Sequence, residues 1–442
     1  MNCMAKRTLN LIATIIALVA SVSASIADPT RDLELASRYF QEAKWIGDDD
    51  NGSLWGKNLY GPIVFVNPAS REVFCNEKPP LTNTEQTAGV FVGKLPEIVL
   101  VANTALDWGG RRWSMILWPL PENRNDRAQL MMHELWHRIQ PEIGLQSKVA
   151  ANAHLDVEAG RLWLQLEIRA LSKALLESDP ARRASYAHDA MIFRTVRQRM
   201  FAGSKAEEDT IERNEGLAEY TGILLRGGGE LESRLWQGRQ LQEYNNREVY
   251  SQSFAYRTGS AYALLLDLEY KSKSKSNSWR TRVNSNSSLV DLLAEGMKYV
   301  ISTEKKVALN RAESYGYTAL KKQEASREGA RRQRISHYRK LLLNGPTLKL
   351  PLAAMQYSYD PNTVFAFGEQ GTVYPEARLS DKWGVLIAKA GLLISKDFTS
   401  AYVAAPAPSK LFSGAGWTIK LNPGWRIIPG VRSGDFIVAR IE

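Results

Sequence analysis

Two histidines and a glutamate stand close together in the segment His133-Glu134-Leu135-Trp136-His137. The surrounding run, residues 126–140, has a helical pattern, and residues four apart on a helix lie on the same face. Both imidazoles can therefore point at one metal ion, while Glu134 can hold a water molecule beside it. This arrangement is typical of zinc-dependent hydrolysis. Because the chain has only five histidines, composition alone predicts on the order of 0.004 such matches by chance.

A catalytic zinc ion needs a third protein ligand and one open position for water. Some zinc proteases carry a third histidine six residues after the second, but that position here is Ile143. A carboxylate is therefore expected, and a resemblance to gluzincin metallopeptidases implies two candidate glutamates. Glu158 follows His137 by 21 residues (137 to 158). Glu215 lies much further along but is followed, one helical turn later, by Glu219 on the same face, which favours Glu215 because a second carboxylate can fix the tautomer of a metal-bound histidine.

The segment Asn214-Glu215-Gly216-Leu217-Ala218 resembles the N-E-G-x-A motif of gluzincin metallopeptidases, in particular of their zinc aminopeptidases. This resemblance implies that Glu215 is the third zinc ligand. It also implies that Glu219 hydrogen-bonds a zinc-binding histidine, as the acid at this position does in thermolysin-like enzymes. The gap from His137 to Glu215 is 78 residues (137 to 215), where the nearest gluzincins have roughly 20, so the intervening segment would be an insertion.

A tyrosine downstream of the third ligand is the next candidate. The segment Tyr256-Arg257-Thr258-Gly259 resembles the part of the zinc aminopeptidases whose tyrosine stabilises the oxyanion beside the zinc, and this implies that role for Tyr256. A phenol that donates a hydrogen bond to developing negative charge is physically sound. A tyrosine packed in the core is the alternative.

The amine-binding segment of those aminopeptidases, G-x-M-E-N, has no counterpart in this chain. The corresponding run, Arg112-Trp113-Ser114-Met115-Ile116, carries no acidic residue. The sequence therefore favours an endopeptidase over an aminopeptidase.

The elements around these motifs predict an α+β fold. Short β-branched and aromatic runs between residues 61 and 121 predict a β-meander, with Asp107–Gly110 as a hairpin turn. A meander followed directly by the H-E-x-x-H helix resembles the N-terminal lobe of zincins, and we expect Arg112–Trp118 to be the edge strand that lines the cleft. Two long helices over 155–203, joined near Pro180, would form a helical-hairpin insertion in a mostly helical second lobe.

Two boundaries divide the predicted chain. Residues 1–27 have the basic start, apolar run and small residues before a cleavage site that indicate a signal peptide. A zincin-like domain would then span 28–345. Beyond Pro346, short strands with intervening turns predict a small all-β domain over 346–442. After cleavage the mature chain keeps only Cys75, so no intramolecular disulfide is expected.

These features together predict an exported, periplasmic or extracellular metallopeptidase with one zinc ion and a peptide or protein substrate. The formal charge is +10, but no nucleic-acid motif accompanies it, and no stretch after the signal peptide is apolar enough to span a membrane. Two alternatives stay open. One is an exported binding or structural protein that contains a metal without turnover; the other is a zinc amidase that acts on cell-wall amides, which the positive charge favours.

Overall fold

The computed structural model is α+β, as expected, and describes residues 29–96, 99, 101–146, 148, 150–244, 250–251, 253–270, 278–359, 363–407 and 409–440. The predicted signal peptide, residues 1–27, lies outside the described residues. The chain divides into two compact units. Of the described residues, the first unit contains those up to 151 and those within 166–245 and 253–311, and the second contains those within 152–165, 246–252 and 312–442.

The described residues form α-helices along most of the middle of the chain. Their bounds are α1 (Pro29–Asp50), α2 (Arg124–Ile139), α3 (Glu158–Leu176), α4 (Pro180–Met200), α5 (Ser204–Ile211), α6 (Leu217–Leu225), α7 (Gly229–Glu243), α8 (Phe254–Tyr270), α9 (Leu289–Gly296), α10 (Lys305–Ala312) and α11 (Tyr317–Arg339). A wide π-helical turn, Glu212–Gly216, joins α5 to α6, and a second one, Lys340–Asn344, follows α11. The predicted break near Pro180 is confirmed: Asp179 caps α4 by accepting the backbone N–H of Arg182 at 2.8 Å.

One six-stranded sheet belongs to the first unit and precedes α2. Its strands are β1 (Ile63–Val66), β2 (Glu72–Cys75), β3 (Glu85–Thr87), β4 (Val90–Lys94), β5 (Thr104–Trp108) and β6 (Arg111–Leu117). They lie in the order β3-β4-β2-β1-β6-β5. The predicted hairpin turn is confirmed, since Gly109 and Gly110 between β5 and β6 have φ values of 60° and 76°, the conformation that a two-residue hairpin turn favours.

Two expectations about this sheet are wrong. It is not a simple meander, because β1 pairs in parallel with β6. For the same reason Arg112–Trp118 is not an edge strand: β6 lies between β1 and β5. The burial pattern explains the order, since Trp113–Ile116 are buried consecutively and need cover on both faces, whereas β5 is half exposed. The outer strand on this side, among the described residues, is β5.

The expected β-rich C-terminal region is confirmed and lies in the second unit. Its strands are β7 (Thr347–Pro351), β8 (Gln356–Tyr359), β9 (Phe365–Ala366), β10 (Thr372–Tyr374), β11 (Ala377–Asp381), β12 (Gly384–Ala388), β13 (Leu392–Ile394), β14 (Ser400–Ala404), β15 (Ser413–Gly414), β16 (Trp417–Leu421), β17 (Trp425–Pro429) and β18 (Phe436–Arg440). They form two sheets, β17-β18-β7-β14-β13-β10-β9 and β15-β16-β12-β11-β8. Both sheets contribute to one apolar core that includes Leu348, Leu386 and Trp417.

Within the described residues, none of the helices combines the length and the apolar character that crossing a membrane requires.

Candidate metal centre

Helix α2 places the two histidines of the H-E-x-x-H segment. Asn123 caps its start, where its side-chain oxygen accepts the backbone N–H groups of Asn125 and Asp126 at 2.9 and 3.1 Å. The Ser114 hydroxyl of β6 donates a 3.0 Å hydrogen bond to the Glu134 carbonyl and ties the helix to the sheet. The helix is therefore fixed at its first turn and at the level of the site.

Helix α6 crosses α2 closely enough to bring a carboxylate to the histidines. A methyl group built on Gly222 of α6 would lie 2.5 Å from the Gln129 carbonyl oxygen of α2. Only glycine fits at this crossing without a shift of one helix. The π-turn that precedes α6 carries Glu215, which thereby comes to lie beside His133 and His137.

The donor atoms of His133, His137 and Glu215 converge, and this buried group can hold a metal ion. The two histidine Nε2 atoms are 3.2 Å apart. Oε2 of Glu215 lies 3.6 Å from Nε2 of His133 and 3.5 Å from Nε2 of His137. Tetrahedral zinc ligands about 2.1 Å from the ion are about 3.4 Å from one another. The three separations therefore fit three corners of one zinc tetrahedron.

Glu219 lies on the Nδ1 side of His133, the neighbour that the resemblance implies for it. Its Oε2 is 3.3 Å from Nδ1 of His133, and its Oε1 accepts hydrogen bonds from Gln129 at 2.9 Å and from Arg257 at 3.3 Å. A carboxylate at this distance favours the tautomer with the proton on Nδ1, which leaves Nε2 free to bind a metal.

His137 is held differently, by a chain of amide groups that the sequence did not reveal. Its Nδ1 lies 3.1 Å from the Gln140 side-chain oxygen. Gln140 donates to Asn214 at 2.8 Å, and Asn214 donates to Oε1 of Glu215 at 2.7 Å. These bonds again direct Nε2 of the histidine, and the second oxygen of Glu215, toward the centre. The available signal was the spacing of three between His137 and Gln140, which puts both on one helical face.

The charges of the centre support binding of a cation. Burial would raise the pKa of Glu215, but the two histidines hold it well below its usual range, so this carboxylate stays ionised. Desolvation lowers the pKa of His133, but hydrogen bonds to Glu215 and Glu219 outweigh it and raise that pKa to about 10. The carboxylates thus favour positive charge at this position, and a metal cation would compete with the proton on His133.

Glu134 and Tyr256 complete the group near the histidines. Glu134 is 5% exposed, and within the described residues its Oε2 has no hydrogen-bond partner. Burial raises its pKa. The Tyr256 ring stacks on His133 with centroids 5.5 Å apart and planes 2° from parallel. Burial, together with a hydrogen bond to Glu215, raises the pKa of Tyr256 well above its ordinary value, so its hydroxyl keeps its proton.

Of the two candidate third ligands, Glu215 is the one that joins the histidines. Glu158 is the first residue of α3, and it does not belong to the metal-binding group found among the described residues.

Comparisons of the chain with protein-family models, with curated proteins and with solved structures yield no match.

Proposed function

We propose that this protein is a zinc-dependent peptidase of gluzincin type. The observation that carries the proposal is the convergence of His133, His137 and Glu215 at separations of 3.2, 3.5 and 3.6 Å, with the Glu134 carboxylate one residue from a ligand. A structural zinc site has four protein ligands and needs no general base. Three donors beside a free carboxylate therefore favour a catalytic site.

Zinc is the metal that this set of donors suits best. Two neutral imidazoles and one carboxylate are a frequent catalytic zinc set, whereas Mg²⁺ and Ca²⁺ prefer oxygen ligands. We propose one zinc ion per chain, with Glu158 taking no part.

The chemistry follows from the groups around the ion. When bound, zinc supplies Lewis acidity that makes water a nucleophile at neutral pH. Glu134 accepts the proton of the attacking water and then delivers it to the leaving amine. The Tyr256 hydroxyl donates a hydrogen bond to the negative charge that develops on the carbonyl oxygen. Glu219 and the Gln140–Asn214 amides keep the two imidazoles oriented throughout.

The outer strand β5 is the proposed docking edge for an extended substrate. A free strand edge offers backbone N–H and C=O groups that pair with a peptide. Arg112 of β6 connects this strand to the site, since it donates to Asp107 of β5 at 3.0 Å and to the carbonyl of His137 at 3.4 Å. A sheet edge beside the H-E-x-x-H helix would make the first unit a zincin-like domain. Pairing along a strand also favours an endopeptidase over an aminopeptidase.

The test compares the zinc-loaded protein with its Glu134→Gln variant on a peptide library. We expect cleavage by the unmodified protein and a loss on the order of 10²- to 10⁴-fold in the variant, because the general base is removed. Glu142→Gln is the matched control: its side chain is half exposed, and we expect unchanged activity. Full activity of Glu134→Gln would contradict the mechanism.

The same experiment separates the alternatives. Stoichiometric zinc without cleavage of peptides or cell-wall material would indicate a binding or structural protein. Cleavage of cell-wall amides alone would indicate an amidase.

A further inference from the structure

Behind the π-turn lies a network of ion pairs that the proposed reaction does not use. We call it the Arg194 network; its members are Glu167 of α3, Arg194 and Arg197 of α4, Glu208 of α5 and Glu212 of the π-turn. Arg194 binds both oxygens of Glu212 at 2.7 Å and one oxygen of Glu167 at 3.1 Å. Arg197 binds the other oxygen of Glu167 at 2.5 Å and both oxygens of Glu208 at 2.7 and 2.9 Å.

The network lies in the interior of the first unit. No member is more than 1% exposed. The desolvation of buried ion pairs can cost as much as their attraction returns, so such pairs contribute little net stability but impose strict geometry. A buried cluster of five charged side chains is therefore better suited to fixing the position of the backbone than to stabilising it.

The element that the network fixes is the turn that carries Glu215. The N–H of Leu217 bonds to the Glu212 carbonyl and closes the wide π-turn. In a regular α-helix, residues three apart such as Glu212 and Glu215 would share a face. The wider turn separates them, so that Glu212 binds Arg194 while Glu215 faces the histidines. Turns of this kind occur frequently at functional sites.

Glu212 also connects this turn to the helix of Tyr256. Thr258 of α8 lies two residues after Tyr256, and its hydroxyl donates to Oε1 of Glu212. At the same level, a methyl group built on Gly216 would lie 2.7 Å from the Cα of Gly259. The π-turn and α8 thus touch at backbone distance and share one anchor.

We propose that the Arg194 network positions Glu215 and Tyr256, with Glu212 as the residue that couples the network to both. This inference rests on the proposed function. It assigns a role to the long segment between His137 and Glu215, because helices α3 and α4 of that segment supply Glu167, Arg194 and Arg197. The helices are then the support of the third ligand. Glu212 is a positioning residue and touches neither metal nor substrate.

The test is the zinc affinity of Glu212→Gln, measured at pH 8, where Glu212 is ionised, by competition with a chromogenic chelator. Glutamine keeps the shape of the side chain but loses the charge that holds Arg194. We expect the affinity to fall about 10- to 100-fold. The matched control is Glu324→Gln in the second unit, a buried glutamate bound by Arg161 at 2.6 Å and by Gln165 at 2.7 Å. The zinc affinity of this control should stay within about twofold of that of the unmodified protein. Loss of a residue that supports a metal ligand has a much larger effect.

A milder variant, Thr258→Val, keeps the inference testable if Glu212→Gln does not fold. It removes one hydroxyl donor from Glu212 at nearly constant volume. We expect kcat on a cleaved peptide to fall while KM is unchanged, because Tyr256 acts on the transition state. Thr210→Val is the matched control. The Thr210 hydroxyl, in α5, donates to the Ala206 carbonyl at 2.7 Å and accepts from Arg213 at 3.2 Å, outside the Arg194 network, so this variant should change neither constant. Unchanged kcat in Thr258→Val, or unchanged zinc affinity in Glu212→Gln, overturns the inference alone. Failure of the unmodified chain to bind zinc overturns both the inference and the proposed function.

Discussion

At the scale of single residues, the two histidines differ in the group that lies at hydrogen-bonding distance from their Nδ1 atoms. His133 has a carboxylate, Glu219, which is itself held by Gln129 and Arg257. His137 has the neutral amide of Gln140. Because a carboxylate partner raises the basicity of an imidazole more than an amide does, His133 is the more electron-rich of the two donors.

The identity of the third ligand gives the first prediction. Glu215→Gln should reduce zinc affinity by roughly 100-fold or more, since it removes a charged ligand from a buried site. Loss of a residue that only hydrogen-bonds a ligand already costs about 10- to 100-fold in affinity. Glu158→Gln should retain the affinity of the unmodified protein. Both are measured by competition with a chelator, and the opposite ranking would restore Glu158 as the ligand.

Site residues that lie a few positions apart on one helix were predictable from the sequence. Site residues that meet only where two helices cross were not. His133, Glu134 and His137 share one helix, and Glu215 and Glu219 are one turn apart, so the sequence indicated them. Asn214 meets Gln140 only because α6 crosses α2. Nothing local in either segment specifies that contact.

At the scale of elements, close helix crossings set the geometry of the centre, and they depend on glycine. Gly222→Ala should destabilise the fold by about 1–3 kcal/mol, because the added methyl group would meet the Gln129 carbonyl at 2.5 Å. Gly329→Ala is the matched control: this glycine lies in α11 with open space around it. There alanine should stabilise by about 0.5–1 kcal/mol. Denaturant unfolding measures both, and equal effects would show that the crossing tolerates a side chain.

The order of the strands could not be predicted from their sequences. Turn residues correctly indicated the hairpin between β5 and β6, since its two glycines are a local signal. The pairing of β1 with β6 joins segments some 50 residues apart (63 to 114), and burial alone does not say which neighbour a strand takes. The π-turn was hidden for a similar reason, because helical periodicity continues on either side of it.

At the scale of the whole molecule, the stability of the fold should depend on pH through Glu212. Burial raises the pKa of Glu212 to about 7, against the opposing effect of Arg194. The groups that face it are Arg194 from α4, Glu167 from α3 and Thr258 from α8. Between pH 4.5 and about 7 the unfolded chain releases a proton that the folded chain retains. The contribution of Glu212 to the free energy of unfolding is therefore fully present below pH 4.5 and is lost as pH rises through 7.

This dependence is measured as the free energy of unfolding of the metal-free protein at pH 5 and pH 7.5. The stability of the unmodified protein relative to Glu212→Gln should fall over this range, by an amount on the order of 3 kcal/mol. Glu324→Gln serves again as the control for loss of a buried carboxylate. A constant difference between Glu212→Gln and the unmodified protein would show that Glu212 is not the group responsible.

The two units differ in what their sequences disclosed. The first carried chemical motifs and could be interpreted residue by residue. In the second, the part beyond Pro346 showed only short strands and turns, from which its β-rich character was predicted but not the two-sheet arrangement. Export, cleavage after residue 27 and the domain boundary near residue 345 stay predictions. The functional proposal stands on the geometry of the first unit.

The most direct test is a crystal structure of the zinc-soaked protein with anomalous scattering recorded at the zinc edge. The proposal predicts one peak per chain, about 2.0–2.2 Å from Nε2 of His133, Nε2 of His137 and a carboxylate oxygen of Glu215, with Glu134 near the open position. A peak bound by Glu158, a site elsewhere in the chain, or no ordered zinc at saturating metal would contradict it.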